Sequence, residues 1–343
     1  MSSWLFSSAC GHSDDKRLIY YRPPFEKGET TIMPNPFFNC DVVSIKDFAK
    51  SDLEYVFSAT DMIRTLKPAE RGELGKGRTL GYIFYEPSTR TRMSFEAAMA
   101  SLGGSFIGIS ELKSSSVEKG ESLADTIRII DLYSDVIVLR HPMDGSSRFA
   151  AELSTNPIVN AGSGSEEHPT QALLDLYTIL KEKGRIDGLS IAIVGDLKYG
   201  RTVYSLLYGL ANYKVDVHLV SPESLAVRKE SIYDVENKMK IKEYNELDEV
   251  LPHADILYVT RIQRERFPDA QEYEKVRGSY TIDNATLGKA KKDVAIMHPL
   301  PRLDEISHSV DATKNAVYFK QAAYGKELRA ALLALMLNEN PPL

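Results

Sequence analysis

The 343-residue sequence is poor in cysteine and in long apolar runs, and each shortage excludes a class of protein. Cys10 and Cys40 are the two cysteines, so neither a disulfide framework nor a zinc site with paired spacing can be built. The longest uninterrupted apolar run, residues 330–337, is far shorter than the roughly 20 residues of a membrane-spanning helix. Residues 1–10 lack the basic and apolar regions of a signal peptide. We therefore expect a cytoplasmic protein with reduced thiols and no membrane partner.

An excess of basic residues is also missing. Lys and Arg together number 42 against 48 Asp and Glu, which gives a formal net charge of −6. A general nucleic-acid binder carries a basic domain, so no nucleic-acid partner is expected. Hydrophobic residues at 43% and charged residues at 26% are ordinary globular values, and the length predicts two domains.

Short apolar runs alternate with helical patterns along most of the chain. The runs that indicate strands are residues 80–85, 136–139, 158–160, 191–194, 215–220, 256–259 and 294–297. They are nearly continuous in apolar residues, which is typical of parallel strands buried on both faces. The alternation predicts an α/β protein of two doubly wound domains, each with a mostly parallel sheet flanked by helices.

Polar, proline-containing and glycine-containing stretches predict where these domains begin and end. Residues 1–36 are polar and proline-containing, and we expect a flexible N-terminal extension. A charged, glycine-containing stretch at 181–188 precedes a fresh strand and predicts the domain junction. The first domain would span residues 37–180 and the second residues 181–317. The last helical segment, 318–343, would pack back on the first domain.

The segment after the first predicted strand has the features of a phosphate site. Ligands of such folds bind at the carboxyl ends of the strands, and here the run Glu-Pro-Ser-Thr-Arg-Thr-Arg at 86–92 opens a helix. A helix N-terminus favours anions. Ser88, Thr89 and Thr91 add hydroxyl donors, and Arg90 can bind phosphate through two parallel hydrogen bonds. A helix cap with surface arginines is the alternative, but the density of donors favours phosphate.

Two further strand ends of the first half carry candidate site residues. Arg140 ends a buried strand, where charge is rare, so it is either a site residue or part of a salt bridge at the sheet rim. His168 and Gln171 open the helix that follows the strand at 158–160. A lone histidine there is often a helix cap, and both a capping and a catalytic role stay open.

The strand ends of the second half offer groups that bind carboxylates. The run at 195–201 has the glycine spacing of a Walker loop but lacks its Lys-Ser/Thr, which excludes a P-loop and leaves Arg201 to hold a carboxylate. Arg261 and Gln263 are two residues apart, so they face the same side of an extended segment.

The turn at 298–302 completes the set of strand ends. Pro299 and Pro301 flank Leu300, which predicts a rigid turn whose Leu300 carbonyl can accept a hydrogen bond. Taken together, the strand ends predict a cleft for a phosphate and one or more carboxylates. Neither a metal-ligand cluster nor a cofactor fingerprint is evident, so we expect no metal and no cofactor.

These motifs resemble those of the aspartate/ornithine carbamoyltransferase family, over residues 37–343. The resemblance rests on Ser-Thr-Arg-Thr-Arg at 88–92, Val-Ile-Val-Leu-Arg-His-Pro at 136–142, His-Pro-Thr-Gln at 168–171, Gly-Asp-Leu-Lys-Tyr-Gly-Arg at 195–201, Thr-Arg-Ile-Gln at 260–263 and His-Pro-Leu-Pro-Arg at 298–302. It implies transfer of the carbamoyl group of carbamoyl phosphate to the amino group of L-aspartate, in de novo pyrimidine (UMP) biosynthesis. It also implies a homotrimer with active sites between subunits, which could join regulatory chains in a higher assembly.

The resemblance also implies roles for individual residues. The carbamoyl phosphate site would comprise Ser88, Thr89, Arg90, Thr91, Arg140, His168, Gln171, Pro299, Leu300 and Pro301. The aspartate site would comprise Lys119, Arg201, Arg261 and Gln263. The catalytic groups would be Arg90, Thr91, Arg140, His168 and Lys119. The loop 114–121 resembles one that a neighbouring subunit inserts, with Ser115 and Lys119 as its ligand contacts.

Two other functions compete with this interpretation. A transferase for a cationic acceptor such as ornithine would need a carboxylate or thiol opposite the amine, whereas the second half supplies Arg201, Arg261 and Gln263. A non-catalytic subunit of the same fold would be expected to have lost a key donor, and every expected group is present in the sequence.

Overall fold

The computed structural model describes residues 35–110, 116–165, 167–264, 267 and 269–341. Their strands form two sheets with the orders β2-β1-β3-β4 and β7-β6-β5-β8-β9, and all neighbours pair in parallel. The strands are β1 Thr79–Phe84, β2 Ser105–Ile109, β3 Val136–His141, β4 Ile158–Ser163, β5 Ser190–Val194, β6 Asp216–Val220, β7 Lys240–Tyr244, β8 Ile256–Val259 and β9 Ala295–Met297. The predicted α/β class with two parallel sheets flanked by helices is thus confirmed.

Helices connect the strands and cover the sheets. They are α1 Lys50–Thr65, α2 Pro68–Arg71, α3 Thr89–Ser101, α4 Leu123–Asp131, α5 Ser146–Leu153, α6 Pro169–Lys183, α7 Arg201–Leu210, α8 Lys229–Tyr233, α9 Ala270–Val276, α10 Asn284–Lys289 and α11 Tyr318–Leu337, with short 3₁₀ segments at Ile45–Asp47, Ser116–Lys119, Glu223–Leu225, Leu247–Glu249 and His308–Ala312. In this part of the chain no helix combines the length and the apolar character needed to cross a membrane.

The apolar runs identified the buried strands, but two strands were absent from the sequence prediction. These are β2 and β7, which lie at the outer edges of the two sheets. The side chains of β2 are mostly exposed, and β7 has the mixed sequence Lys-Ile-Lys-Glu-Tyr with exposed and half-buried positions. These two strands need no continuous apolar run because their side chains stay largely exposed on the faces of the sheets, whereas β4, which is also an edge strand, is buried along its length.

Local signals set the ends of the two helices that open at the candidate site. Helix α3 begins directly after Ser88 and stops at Gly103, whose φ of 81° lies in the left-handed region that glycine tolerates. Helix α6 has Pro169 at its first position, where the missing N–H costs nothing, and ends at Gly184 with φ 70°. Both helix N-termini therefore lie just beyond strand ends.

The C-terminal helix α11 packs against α1, α3 and α6, which belong with the four-stranded sheet. Residues 328–337 are buried along the whole of its last turns. Asn35 links this helix to the start of the described chain, because its Nδ2 donates to the Leu335 carbonyl at 2.6 Å. We refer below to the four-stranded sheet with its helices and α11 as the first unit, and to the five-stranded sheet with its helices as the second unit.

Candidate active site

A cleft of about 980 Å³ opens where the carboxyl ends of strands from both units meet. The residues predicted from the strand ends that line it are Ser88, Thr89, Arg90, Thr91, Arg140, His168, Gln171, Arg201, Arg261, Gln263, Pro299, Leu300 and Pro301. Arg140 lies near the end of β3, and the others follow β1, β4, β5, β8 and β9, so six strand ends contribute to a single surface. This geometry is what parallel sheets produce, because all their strands end on one edge.

The loop expected from a neighbouring subunit is separate from this lining. Ser115 lies outside the described residues. Lys119 ends the 3₁₀ segment Ser116–Lys119 and is exposed. It is not among the residues that line the cleft of its own chain. Its assignment to a neighbouring site therefore stays a prediction.

The N-terminus of α3 faces the cleft with unused donors. Ser88 occupies the N-cap position, yet its side chain makes no capping hydrogen bond. Partial desolvation in the cleft, together with the nearby Arg261 guanidinium, lowers the pKa of Arg90. The Arg261 guanidinium comes from the other unit and disfavours the charge of Arg90, so an anion bound beside Arg90 would be stabilised.

Glu86 binds two of the cleft's guanidiniums at once. Its Oε2 lies 2.7 Å from Arg201 Nη2 and 3.4 Å from Arg140 Nε. Arg201 Nη1 also donates to the Gly164 carbonyl at 2.7 Å, and Arg140 Nη1 donates to the Ala161 carbonyl at 3.1 Å. Because Arg201 belongs to the second unit, this carboxylate joins the two units across the cleft. The sequence analysis assigned Glu86 no role, although a carboxylate next to a strand end and a cluster of arginines was a usable signal.

The close approach of Arg140 and Arg201 depends on a glycine. Gly162 has a φ of 113°, and a Cβ there would lie 3.1 Å from Arg140 Nη1 and 3.2 Å from Arg201 Cζ. A larger residue would strain the backbone and push against both guanidiniums. Gly162 therefore allows the two cations to share one wall of the cleft.

His168 is buried at the N-terminus of α6 and is held there by its backbone. Its N–H donates to Ser205 Oγ of α7 at 2.8 Å. Burial, reinforced by the Arg140, Arg329 and Arg201 guanidiniums, keeps the pKa of His168 well below its usual value. Because the pKa of His168 lies below 6.5, the imidazole is neutral near pH 7, with one N–H to donate and one nitrogen to accept.

Asp196 joins the two loops of the second unit that carry the predicted carboxylate-binding groups. This buried side chain accepts from the Tyr199 N–H at 2.9 Å through Oδ1 and from the Gln263 N–H at 3.5 Å through Oδ2. The segment after β5 and the segment after β8 are thereby held side by side. Arg201 and Gln263, which are 62 positions apart in the numbering, line the same cleft.

Helix α11 contributes residues that the sequence analysis missed. Arg329 is 4% exposed, lines the cleft, and lies over the Phe95 ring at 5.1 Å. Its burial lowers the pKa of Arg329 to about 10. Gln321 of the same helix also lines the cleft. Gln321 follows Lys320, and Arg329 follows Lys326 and Glu327, so both resemble ordinary polar helix residues and carry no signal of a site.

Across the residues the structure describes, no cluster of three or more His, Cys, Asp or Glu could hold a metal ion. The cleft's chemistry is instead cationic on both sides. Glu86 is the single carboxylate among the described residues that line it, and both Arg140 and Arg201 contact that group. The cleft can therefore bind anions and can donate hydrogen bonds to an oxygen that gains negative charge.

Comparison with known proteins gives consistent matches along the chain. The carbamoyl-P binding domain of aspartate/ornithine carbamoyltransferase matches residues 40–181, and the Asp/Orn binding domain of the same family matches residues 187–336. The aspartate carbamoyltransferase catalytic subunit of Nitrosopumilus maritimus is 63% identical over 306 residues, which cover 89% of this chain and 99% of that protein. The corresponding subunit of Cenarchaeum symbiosum is 59% identical, with 88% and 98% covered.

Solved structures give the same result in three dimensions. Aspartate transcarbamoylase from Trypanosoma cruzi, in complex with carbamoyl phosphate and aspartate, superposes with a TM-score of 0.83 at 40% identity and covers 88% of this chain and 98% of its own. The catalytic subunit of M. jannaschii aspartate transcarbamoylase superposes with a TM-score of 0.80 at 52% identity, with 86% and 96% covered.

Proposed function

The chain belongs to the aspartate/ornithine carbamoyltransferase family, and from this premise we propose how its cleft performs the reaction. Its function is the transfer of the carbamoyl group of carbamoyl phosphate to the amino group of L-aspartate, which yields N-carbamoyl-L-aspartate and phosphate. The observation that carries the residue-level proposal is the convergence of guanidiniums on one cleft, Arg90 and Arg140 from the first unit and Arg201 and Arg261 from the second. Two anionic substrates match that charge.

We assign carbamoyl phosphate to residues 37–180 together with 318–343. The phosphate would bind at the N-terminus of α3, where the backbone N–H groups and the positive end of the helix favour an anion. Ser88, Thr89 and Thr91 would donate from their hydroxyls, and Arg90 would supply a charge-assisted pair of hydrogen bonds.

The carbamoyl group would lie between α6 and the turn after β9. Thr91, Arg140 and the neutral His168 would donate to its carbonyl oxygen. The Gln171 side chain and the Leu300 carbonyl would accept from its NH₂. Pro299 and Pro301 shape the turn that presents Leu300, whose φ is 55° and whose N–H donates to His298 Nδ1 at 2.7 Å.

We assign aspartate to residues 181–317. Arg201 would hold the α-carboxylate, and Arg261 with Gln263 would hold the side-chain carboxylate. When aspartate binds, Arg201 would contact a second carboxylate in addition to that of Glu86. A guanidinium has five N–H donors and can donate to both carboxylates. Lys119 would add a further cation from a neighbouring subunit.

The reaction needs no group beyond these. The deprotonated aspartate amine forms a bond to the carbamoyl carbon, and the carbonyl oxygen gains charge as the centre becomes tetrahedral. Thr91, Arg140 and His168 stabilise that oxyanion as preorganised donors. The bond between the carbamoyl carbon and the phosphate oxygen then breaks, the nitrogen transfers one proton to the departing phosphate, and hydrogen phosphate leaves. Arg90, Arg140 and Lys119 balance the charge of the leaving phosphate.

We also propose that the chain forms a homotrimer in which the loop 114–121 enters the neighbour's cleft, with Ser115 and Lys119 as the groups that contact ligand. Large apolar side chains are exposed on the elements that flank this loop, namely Phe106 and Ile107 on β2 and Leu132 and Tyr133 after α4. Exposed apolar clusters of this kind favour a protein contact. A higher assembly with regulatory chains would build on that trimer.

For the cellular setting we propose pyrimidine biosynthesis in the cytoplasm. N-carbamoyl-L-aspartate is the product that this pathway consumes on the way to UMP. The low cysteine content supports a reducing compartment.

The test of the function compares acceptors. Purified protein with carbamoyl phosphate should form carbamoylated product from L-aspartate and almost none from L-ornithine, as measured by a ureido-group assay. A cationic acceptor lacks a free carboxylate partner among the described lining residues, because Glu86 already contacts Arg140 and Arg201. Equal turnover of ornithine would contradict the assignment of Arg201, Arg261 and Gln263, and no turnover of either acceptor would contradict a catalytic role.

A further inference from the structure

A buried carboxylate lies directly behind the cleft and collects three hydrogen-bond donors. Asp175 of α6 is fully buried, one helical turn after Gln171. Its Oδ1 accepts from Gln171 Nε2 at 2.8 Å and from Gln321 Nε2 at 2.6 Å. Its Oδ2 accepts from the Tyr258 hydroxyl at 2.8 Å. The carboxylate thus joins α6, α11 and strand β8 of the second unit.

The network continues from Asp175 to the turn that carries Leu300. Gln321 Oε1 accepts from the His298 N–H at 2.9 Å, so the two ends of the Gln321 amide face different partners and its orientation is fixed. The His298 ring then accepts the Leu300 N–H through Nδ1 at 2.7 Å. Gln321 and His298 therefore connect the carboxylate to the peptide group of Leu300, whose carbonyl borders the cleft.

We propose that Asp175 is a positioning residue that orients both acceptors of the carbamoyl NH₂ group, the Gln171 side-chain carbonyl and the Leu300 main-chain carbonyl. A side-chain amide has one donating and one accepting end. Because Gln171 Nε2 is committed to Asp175, Oε1 is the end that remains for the cleft. This inference rests on the placement of carbamoyl phosphate proposed above.

The presence of an aspartate at position 175 also supports this positioning role. Three donors converge on the side chain, whose two carboxyl oxygens both accept, whereas an asparagine would offer one accepting oxygen and one donating NH₂. Burial raises the pKa of Asp175 to about 7, while the three donors and the Arg329 guanidinium act in the opposite direction.

The chemical consequence is selectivity for NH₂ over CH₃. Acetyl phosphate carries the same phosphate and carbonyl as carbamoyl phosphate but has a methyl group in place of the NH₂. A site whose acceptors face the NH₂ rejects the methyl analogue, because those acceptors are left unpaired. The ratio of the two dissociation constants therefore reports on the acceptors, whereas a general loss of structure would change both constants together.

The test is Asp175→Asn, with dissociation constants measured by calorimetry for carbamoyl phosphate, acetyl phosphate and inorganic phosphate. Asparagine presents an NH₂ to a cluster of donors, so the Gln171 amide is expected to turn and pair its oxygen with that NH₂. The preference for carbamoyl phosphate over acetyl phosphate should fall by about tenfold, the equivalent of one hydrogen bond. Affinity for inorganic phosphate should stay within about twofold of wild type, because α3 holds the phosphate.

A matched control lies on the same helix. Thr178 is buried, and its Oγ1 donates to the Leu174 carbonyl at 2.6 Å, so the hydroxyl proton is committed to the helix backbone. Thr178→Val disturbs α6 with little change of shape and should leave the preference ratio at the wild-type value. In a Gln171→Ala background, Asp175→Asn should reduce the ratio less than it does alone, because one of its two acceptors is already missing.

The outcomes separate this inference from the proposed function. A wild-type protein that prefers carbamoyl phosphate, with a folded Asp175→Asn variant that keeps the same ratio, overturns the positioning role of Asp175 alone. A wild-type protein without any preference overturns the placement of the carbamoyl group as well. If Asp175→Asn does not fold, Gln321→Met makes the same test by cutting the link to Leu300. An unchanged ratio in that variant overturns the inference.

Discussion

Replacement of Arg90 by alanine is the sharpest test of the phosphate site. Arg90 lies in the first turn of α3, faces the cleft, and stands near Arg261 from the other unit. Its guanidinium is partly desolvated even without a ligand, and that desolvation together with Arg261 lowers the pKa of Arg90. The protein therefore keeps a cation where its own charges oppose one, which indicates that an anion is the partner.

The structure sets the size and the direction of the effect. Loss of one preorganised charge-assisted donor costs about 2–4 kcal/mol in transition-state stabilisation, which corresponds to roughly 10²–10³ in rate. The ligand-free fold should not lose stability, because the substitution relieves repulsion with Arg261 and breaks no ion pair that Arg90 makes in the structure. Arg90→Ala should therefore combine a large fall in kcat/KM with an unchanged or slightly higher melting temperature.

The assay is steady-state product formation with both substrates varied, together with thermal unfolding of the ligand-free protein. Arg92→Ala is the matched control: Arg92 lies on the same helix but pairs with Glu96 at 3.1 Å and does not line the cleft. That control should keep kcat/KM within about threefold, as expected for loss of a partly exposed ion pair. If Arg90→Ala also keeps near-normal kcat/KM for carbamoyl phosphate, the phosphate does not bind at α3.

Three other predictions follow from the proposed site. Gln263→Ala should raise KM for aspartate and leave binding of inorganic phosphate nearly unchanged; a large loss of phosphate affinity would contradict the division between the units. Lys119→Ala and Arg90→Ala chains should each be inactive alone, but about a quarter of the active sites should be restored when the two are refolded together in equal amounts. About three quarters of the trimers are then mixed, and one site in three is intact in each mixed trimer. No recovery of activity in confirmed hybrid trimers would place Lys119 in its own subunit's site or outside the site. Burial keeps the pKa of His168 well below 6.5, so below pH 6.5 the unfolded chain binds a proton that the folded chain does not. The stability of the wild type relative to His168→Gln should therefore fall by up to about 1.4 kcal/mol for each unit that the pH drops below 6.5. Equal pH dependence of the two proteins in denaturant titrations would show that His168 also binds the proton in the folded state.

Much of the fold was predictable because buried parallel strands have a strong signature. The runs that became β1, β3, β4, β5, β6, β8 and β9 are rich in apolar residues, and the donors at the ends of six of them mark the ligand edge. The edge strands β2 and β7 could not be found in this way, since side chains that remain exposed to solvent need not be apolar.

The sequence by itself determined the fold class, the strand ends that carry donors and the motifs from Ser88 to Arg302. The tertiary structure decided which polar groups those motifs would meet. Nothing in the sequence around Asp175 distinguishes this acid, but in the structure Gln321 and Tyr258 converge on it. Arg329 follows charged residues of a helix in the sequence, and it reaches the site because α11 packs against α3. The neutral state of His168 likewise depends on burial beside Arg140 and Arg201. Such partners are distant in sequence, and their energies depend on distance and desolvation, which only the folded chain sets.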